Sequence, residues 1–307
     1  MKLIFSPARL TAILLSSFLF FTACEKETSA DEKAREEFAT RASAEADAES
    51  DDIYNEVFDN VMGVNTEVAL GGTGVFGKLN QSGTGEVART TACPTVTVTR
   101  LNAPDPFPVK VVMDFGTGCQ ARDGRTRSGK IITVYTNRLI VPGAKATTTF
   151  ENYKVDSIQV QGTHIITNQS NVTTTNCMTH KWKVVTENGK LIKPNGNYVE
   201  WNSTRTIEQV EGMCTPFIPL DDIYKITGSA NAKVKRGDLL IAWRSEITEP
   251  LVKKFTCRWL VKGIIKTVRL NLATNSPWIG TINYGNGDCD NKAVVTINGV
   301  PHIITLP

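Results

Sequence analysis

Three histidines, His164, His180 and His302, are the only imidazoles in the chain, and none has a Cys, Glu or His at metal-ligand spacing. No His-Glu-x-x-His or Gly-x-Ser-x-Gly run occurs, so neither a zinc hydrolase nor a nucleophile elbow is written into the sequence. A dispersed Ser-His-Asp site, or a carboxylate pair drawn from Asp114, Asp123, Glu200, Glu208, Asp288 and Asp290, needs geometry that spacing cannot supply. Asn286, Asp288 and Asp290 alternate like the opening of a calcium loop. The glycine and closing glutamate of such a loop are missing, and Ile297 holds the twelfth position. Calcium is the one cofactor the pattern admits. The residue type that does cluster is the cation. Arg122, Arg125, Arg127 and Lys130 follow Cys119, and Lys254, Arg258 and Lys262 recur along a later segment. Such groups suit the phosphates or carboxylates of an anionic glycan or lipid. The balance leans toward binding rather than catalysis.

The elements that must position these residues begin with a leader. Lys2 and Arg9 flank the start of an apolar run from Leu10 to Phe21, shorter than the about 20 residues of a bilayer span. A secretory signal over residues 1–23 fits better. Phe21-Thr22-Ala23-Cys24 is similar to a bacterial lipobox, whose cysteine becomes the acylated, palmitate-type N-terminus. Several acyl chains on one residue suffice for durable anchoring. The expected place is the outer membrane of a Gram-negative bacterium, facing the periplasm or the cell surface.

Beyond Cys24 six cysteines remain, and an even number in an exported chain argues for disulfides among fifteen connectivities. Residues facing each other across a hairpin are equidistant from its turn. Cys93 and Cys119 centre on Pro106, within Asn102-Ala103-Pro104-Asp105-Pro106-Phe107-Pro108; Cys177 and Cys214 centre between Asn195 and Gly196; Cys257 and Cys289 centre on Ala273. All three midpoints fall on turn signals. A rival pair, Cys214 with Cys257, centres beside Arg236-Gly237 but strands Cys177 with distant Cys289. Three sequential cross-strand bridges are expected.

The 307 residues are 41% apolar and 21% charged, enough for an ordinary core and against wholesale disorder or a multi-pass membrane protein. The net charge of +3 hides a division. Residues 25–62 hold 13 acidic and 4 basic residues, and residues 63–307 hold 18 acidic and 28 basic. An acidic leash (24–62) therefore precedes a basic body. The leash either stays solvated or folds back and partly neutralises the body. Asp51 is placed to cap a short helix whose Ile53, Tyr54, Val57, Phe58, Val61 and Met62 form one apolar stripe. A Gly-rich connection (63–92) leads to the body, 93–307.

The body is rich in Thr, Val and Ile, with turn signals at Pro142-Gly143, Asn188-Gly189, Asn195-Gly196, Arg236-Gly237 and Asn298-Gly299. Alternation places Leu239, Ile241, Trp243 and Ile247 inward, and marks 253–262 as a strand with Phe255, Cys257, Trp259 and Val261 on one face. The expected fold is all-β: an antiparallel meander of twelve to fifteen strands, as a curved sheet or a sandwich, with a short N-terminal helix. Met113-Asp114-Phe115-Gly116-Thr117-Gly118-Cys119 and Ile282-Asn283-Tyr284-Gly285-Asn286-Gly287-Asp288-Cys289 form a faint internal repeat, suggesting two related halves.

The runs Asp114–Cys119, Asp123–Gly129 and Tyr284–Asn291 resemble uncharacterised lipoproteins of Bacteroidetes. Cys24-Glu25-Lys26-Glu27 with its acidic continuation resembles the export signal of members displayed on the cell surface, and Asp156-Ser157-Ile158 resembles the short O-glycosylation motif of that phylum. The resemblance implies an envelope protein and carries no catalytic residue. The expectation is a lipid-anchored, non-enzymatic protein that binds an anionic glycan such as lipopolysaccharide, or another envelope component, with no nucleic-acid partner. A curved-sheet lipid or lipoprotein carrier, and a hydrolase with a dispersed site, are the rivals.

Overall fold

The computed structural model describes residues 25–63, 87–89, 94–120, 124–171, 177–215, 218–270 and 278–307. The chain divides into two compact units, Met1–Phe38 and Ala39–Pro307. One helix, α1 (Glu25–Met62), is followed by β1 (Val87–Arg89), β2 (Thr95–Arg100), β3 (Val109–Asp114), β4 (Cys119–Gln120), β5 (Thr126–Tyr135), β6 (Lys145–Val155), β7 (Ile158–Asn168) and β8 (Lys181–Ile192). Then come β9 (Tyr198–Glu211), β10 (Ile223–Arg236), β11 (Leu239–Lys254), β12 (Lys262–Arg269), β13 (Gly280–Asn286), β14 (Lys292–Ile297) and β15 (Val300–Thr305). All pair antiparallel in one sheet, each with its sequence neighbour, except that short β4 folds against β5 and leaves β3 to pair β5. The all-β meander is thus a single sheet. The two aromatic-Gly-x-Gly turns of the faint repeat, after β3 and after β13, lie at opposite ends of it.

The strands alternate as a half-buried sheet should. Along β9, Val199, Trp201, Ser203, Arg205, Ile207 and Gln209 point inward while Asn202, Thr204 and Glu208 point outward. The inward face does not meet a second sheet. It meets α1, whose Ala39, Ala42, Ala44, Ala46, Ala48, Ile53, Tyr54, Val57, Phe58, Val61 and Met62 are all buried. The sheet must curl to do this. Arg125 precedes β5 and Arg258 follows β11, six strands along the sheet, or roughly 29 Å if it were flat. Yet their side chains stand 3.2 and 3.8 Å from the same carboxylate oxygen, Oδ2 of Asp52.

Bulges supply the bend. Register shifts fall at Ser128/Lys130, Gln161/Thr163, Thr186/Gly189 and Lys262/Ile264, in four strands that wrap α1. Gly189 shows why glycine is needed at such a point. A Cβ there would lie 2.8 Å from the Tyr54 hydroxyl, which reaches past it to donate to the Gln161 carbonyl at 2.8 Å.

Because the strands reverse one after another, the connections alternate between two ends. One end carries the β7–β8, β9–β10, β11–β12 and β13–β14 connections, and both described disulfides brace it: Cys177–Cys214 and Cys257–Cys289. These are two of the three expected bridges, each joining the far ends of one hairpin. Cys93 lies outside the described residues, so a Cys93–Cys119 pair is not among them. The opposite end carries tight hairpins such as Asn298-Gly299, both at positive φ as a type I′ turn requires. Within the second unit, α1 enters at this hairpin end, with Glu45 on Arg236 and Glu49 on Lys193, and finishes at the braced end, where the Tyr135 hydroxyl donates to Val61 O at 2.8 Å.

Two expectations are corrected. The helix is not short and Asp51 is not its cap: α1 spans 38 residues, and Asp51 lies inside it, paired with Arg205. The sequence leaves solvation and folding back both open for its acids, because a charge run looks the same whether water or buried cations lie opposite. Segment 253–262 is not a strand either. β11 ends at Lys254, and Phe255–Val261 form the connection that Cys257 fastens.

Candidate functional site

The densest chemistry lies on the inward face, where four carboxylates of α1 meet cations of the body and a fifth, Asp47, meets neutral donors. Arg205 Nη2 donates to both oxygens of Asp51, at 3.1 and 3.2 Å, with both side chains about 5% exposed. Lys253 stands 2.9 Å from Asp59 and is itself 1% exposed. Arg125 bridges Asp52, Glu56 and Asp156, at 3.2, 3.0 and 2.7 Å. Glu56 also takes Arg127 at 2.7 Å and the Tyr153 hydroxyl at 3.4 Å. Asp47 differs from the rest: its Oδ1 accepts from the Trp201 indole at 3.1 Å, the Trp243 indole at 3.2 Å and Ser245 at 3.1 Å, all neutral donors.

Burial sets the electrostatics. Desolvation pushes Asp47 up to about 6, with repulsion from Asp51 adding to it and the nearby Arg205 and the indoles opposing. Desolvation likewise holds Asp52 at about 6 against the pull of Arg125 and Arg258, and it raises Asp51 and Asp59 despite their partners. Asp222, which accepts from Gln209 and Tyr224 at 2.7 Å each, is raised by burial to about 6. His164 is buried against Tyr54 in a stacked pair and is lowered by desolvation to about 4; His180 is lowered for the same reason. These are the shifts of a charged helix sealed in a sheet.

The cations singled out as anion ligands are divided by the fold. Arg125 and Arg127 are buried and engaged by α1. Lys130 pairs with Asp114 at 3.4 Å. Arg258 donates to the Pro307 carbonyl at 2.7 Å and stacks over Trp259. Lys254 lies 3.5 Å from the Gly287 carbonyl, and Lys262 is exposed. Arg122 and Asp123 fall outside the described residues. Of the calcium candidates, Asp290 accepts from the Lys292 amide at 2.8 Å as a local turn brace. No group of three or more His, Cys, Asp or Glu placed to hold a metal occurs among the described residues.

Sequence reasoning missed Asp47, Asp51, Asp52, Glu56 and Asp59 as functional groups, and Arg205 and Lys253 as their partners. A signal existed: Arg205 shares strand parity with Val199, Trp201 and Ile207, so alternation alone places a cation in the core. Of the open spaces, a cleft of about 390 Å³ lies between α1 and the β15 tail, but its Arg41, Glu45, Glu49, Lys193 and Arg236 are paired with one another. A cavity beside Asp52 and Tyr284 has about 10 Å³, the room of a single water. The interior that a lipid carrier would need is filled by α1.

No family model, curated protein or solved structure matches the chain.

Proposed function

We propose that the chain is a non-enzymatic, lipid-anchored protein of a bacterial envelope that binds an anionic glycan or another envelope component through outward cations of its sheet. The observation that carries this reading is the division of charge. The carboxylates of α1 occupy the inward arginines, while Lys225, Lys254 and Lys262 face outward with no ion pair among the described residues. A local attraction for polyanions at that outer face is the physical consequence. The lipobox, the third bridge Cys93–Cys119 and the likeness to Bacteroidetes surface lipoproteins belong to the same proposal.

Two measurements test it. Cys24→Ser is expected to move the protein from the membrane fraction to the soluble one. Affinity for acidic oligosaccharides is expected to fall about tenfold between low and physiological salt, as screening shortens the reach of surface charge. Salt-independent binding of neutral sugars would defeat the reading. Co-purification of one equivalent of lipid with α1 displaced would favour a carrier instead.

A further inference from the structure

We propose that one row of outward side chains, Lys181 on β8, Lys225 on β10 and Lys262 on β12, binds a flexible acidic polysaccharide bent across the strands, with a carboxylate on alternate sugars. The inference rests on the glycan-binding reading above and gives it a place.

The row follows from register. Lys181 faces Glu208 on β9, Glu208 faces Lys225, Lys225 faces Val252 on β11, Val252 faces Lys262, and Lys262 faces Asn286 on β13. Residues directly opposite in an antiparallel pair share a face, so all six project from the same side. It is the outer side, because Lys225, Lys262 and Asn286 are exposed and Val252 is half-buried. A lysine therefore recurs on every second strand, about 9.6 Å apart along the backbone, and the curl of the sheet around α1 spreads their outward ammonium groups further. A flexible chain with a carboxylate on alternate sugars, bent over this convex face, would meet the lysines in turn. Lys254, two residues beyond Val252 on the same face, stands about 7 Å along the strand and adds a second cation to the centre of the row. The carboxylates that β9 contributes at this end are Glu208 and Glu211; Glu208 is held by Lys181 at 3.4 Å. Lys225, Lys254 and Lys262 have no carboxylate in salt-bridge reach among the described residues. Each contact is individually weak at a solvated surface, so binding depends on several rungs being engaged by one chain.

Full-length protein is titrated with hyaluronan oligosaccharides, which carry a carboxylate on every second sugar, and separately with dextran sulfate, whose charge is dense and irregular. Lys225→Ala/Lys262→Ala is compared with Lys145→Ala/Lys154→Ala, a pair exposed on β6. The row predicts hyaluronan affinity about tenfold weaker in the first variant and unchanged in the second. Equal loss in both variants, or none in either, overturns the row. If dextran sulfate binds while hyaluronan does not, the row is wrong and the glycan reading survives. If neither binds, both fail.

Discussion

The two faces of this sheet use the same residue types toward opposite ends. Inside, Asp51 and Arg205 meet at 3.1 Å with both side chains about 5% exposed. Outside, Glu200 sits between Lys190 and Lys233 at 3.2 and 2.6 Å, with about a third of each side chain exposed. Distance does not separate the two; water does. In the interior a charge has no substitute partner, so the pair specifies where α1 must lie along the sheet. At the surface either partner can turn to solvent or to a ligand, and the cation stays available.

The largest expected effect comes from breaking the inner pair on one side only. Asp51→Ala leaves Arg205 buried without its carboxylate and should cost about 3–5 kcal/mol in urea unfolding. Removing both charges, as Asp51→Leu/Arg205→Met, should recover most of that, because the penalty lies in the orphaned charge rather than in the lost bond. A cost for Asp51→Ala as small as that of a surface pair would erase the contrast between the faces.

Next comes the close approach of helix to sheet. Gly189→Ala places a methyl group against the Trp201 carbonyl, the Tyr54 hydroxyl and the Thr186 methyl. One of them has to move, and overpacking of this kind costs about 1–3 kcal/mol. Tyr54→Phe made together with Gly189→Ala removes one of the three obstacles and should return part of the loss. If Gly189→Ala alone is neutral, the sheet yields more readily at its bulges than the close contacts indicate.

Much of the sheet was legible in the sequence. Alternation along Leu239–Ile247 and hairpin symmetry about Asn195-Gly196 and Ala273 are local signals, and the inward Trp243 and both described disulfides follow from them. What occupies the sheet was not legible. The apolar stripe from Ile53 to Met62 was plain, but a carboxylate such as Asp52 reveals its burial only through Arg125 and Arg258, which are distant in sequence and from each other. The opposite net charges of 25–62 and 63–307 and the inward parity of Arg205 were the available hints. For the same reason Arg125 and Arg127 looked like a ligand site: a basic loop built for the chain's own helix and one built for a stranger have the same composition.

The inner carboxylates also set a pH dependence opposite to ordinary acid unfolding. Asp47, Asp52 and Asp222 titrate near 6 when folded against 3.8 unfolded. Their contribution to stability is therefore complete below 3.8 and lost as pH rises through about 6. His164 runs the other way: lowered from 6.5 to about 4, it contributes above 6.5 and loses that as pH falls toward 4, and His180 shifts in the same direction. The carboxylates prevail in number, so Tm should rise on acidification from about pH 7.5 to about 5.5. Asp47→Asn should flatten that rise. A Tm that falls steadily across this window would mean that the pull of Arg125, Arg205 and Arg258 outweighs desolvation and keeps the interior carboxylates ionised.

The smallest effect is the one that completes the contrast. Glu200→Gln removes a carboxylate from between two lysines at hydrogen-bonding distance, geometry that on paper rivals the Asp51–Arg205 pair. The pull of Lys233, helped by Lys190, holds Glu200 below the usual carboxylate range, so the interaction is real. It is nonetheless solvated, and exposed pairs gain little over water. Tm should not change measurably, while attraction to a polyanion should strengthen slightly because Lys190 and Lys233 lose their acid. A large loss of stability would place structural weight on the outer face, and its cations would then be committed to the fold as firmly as those inside.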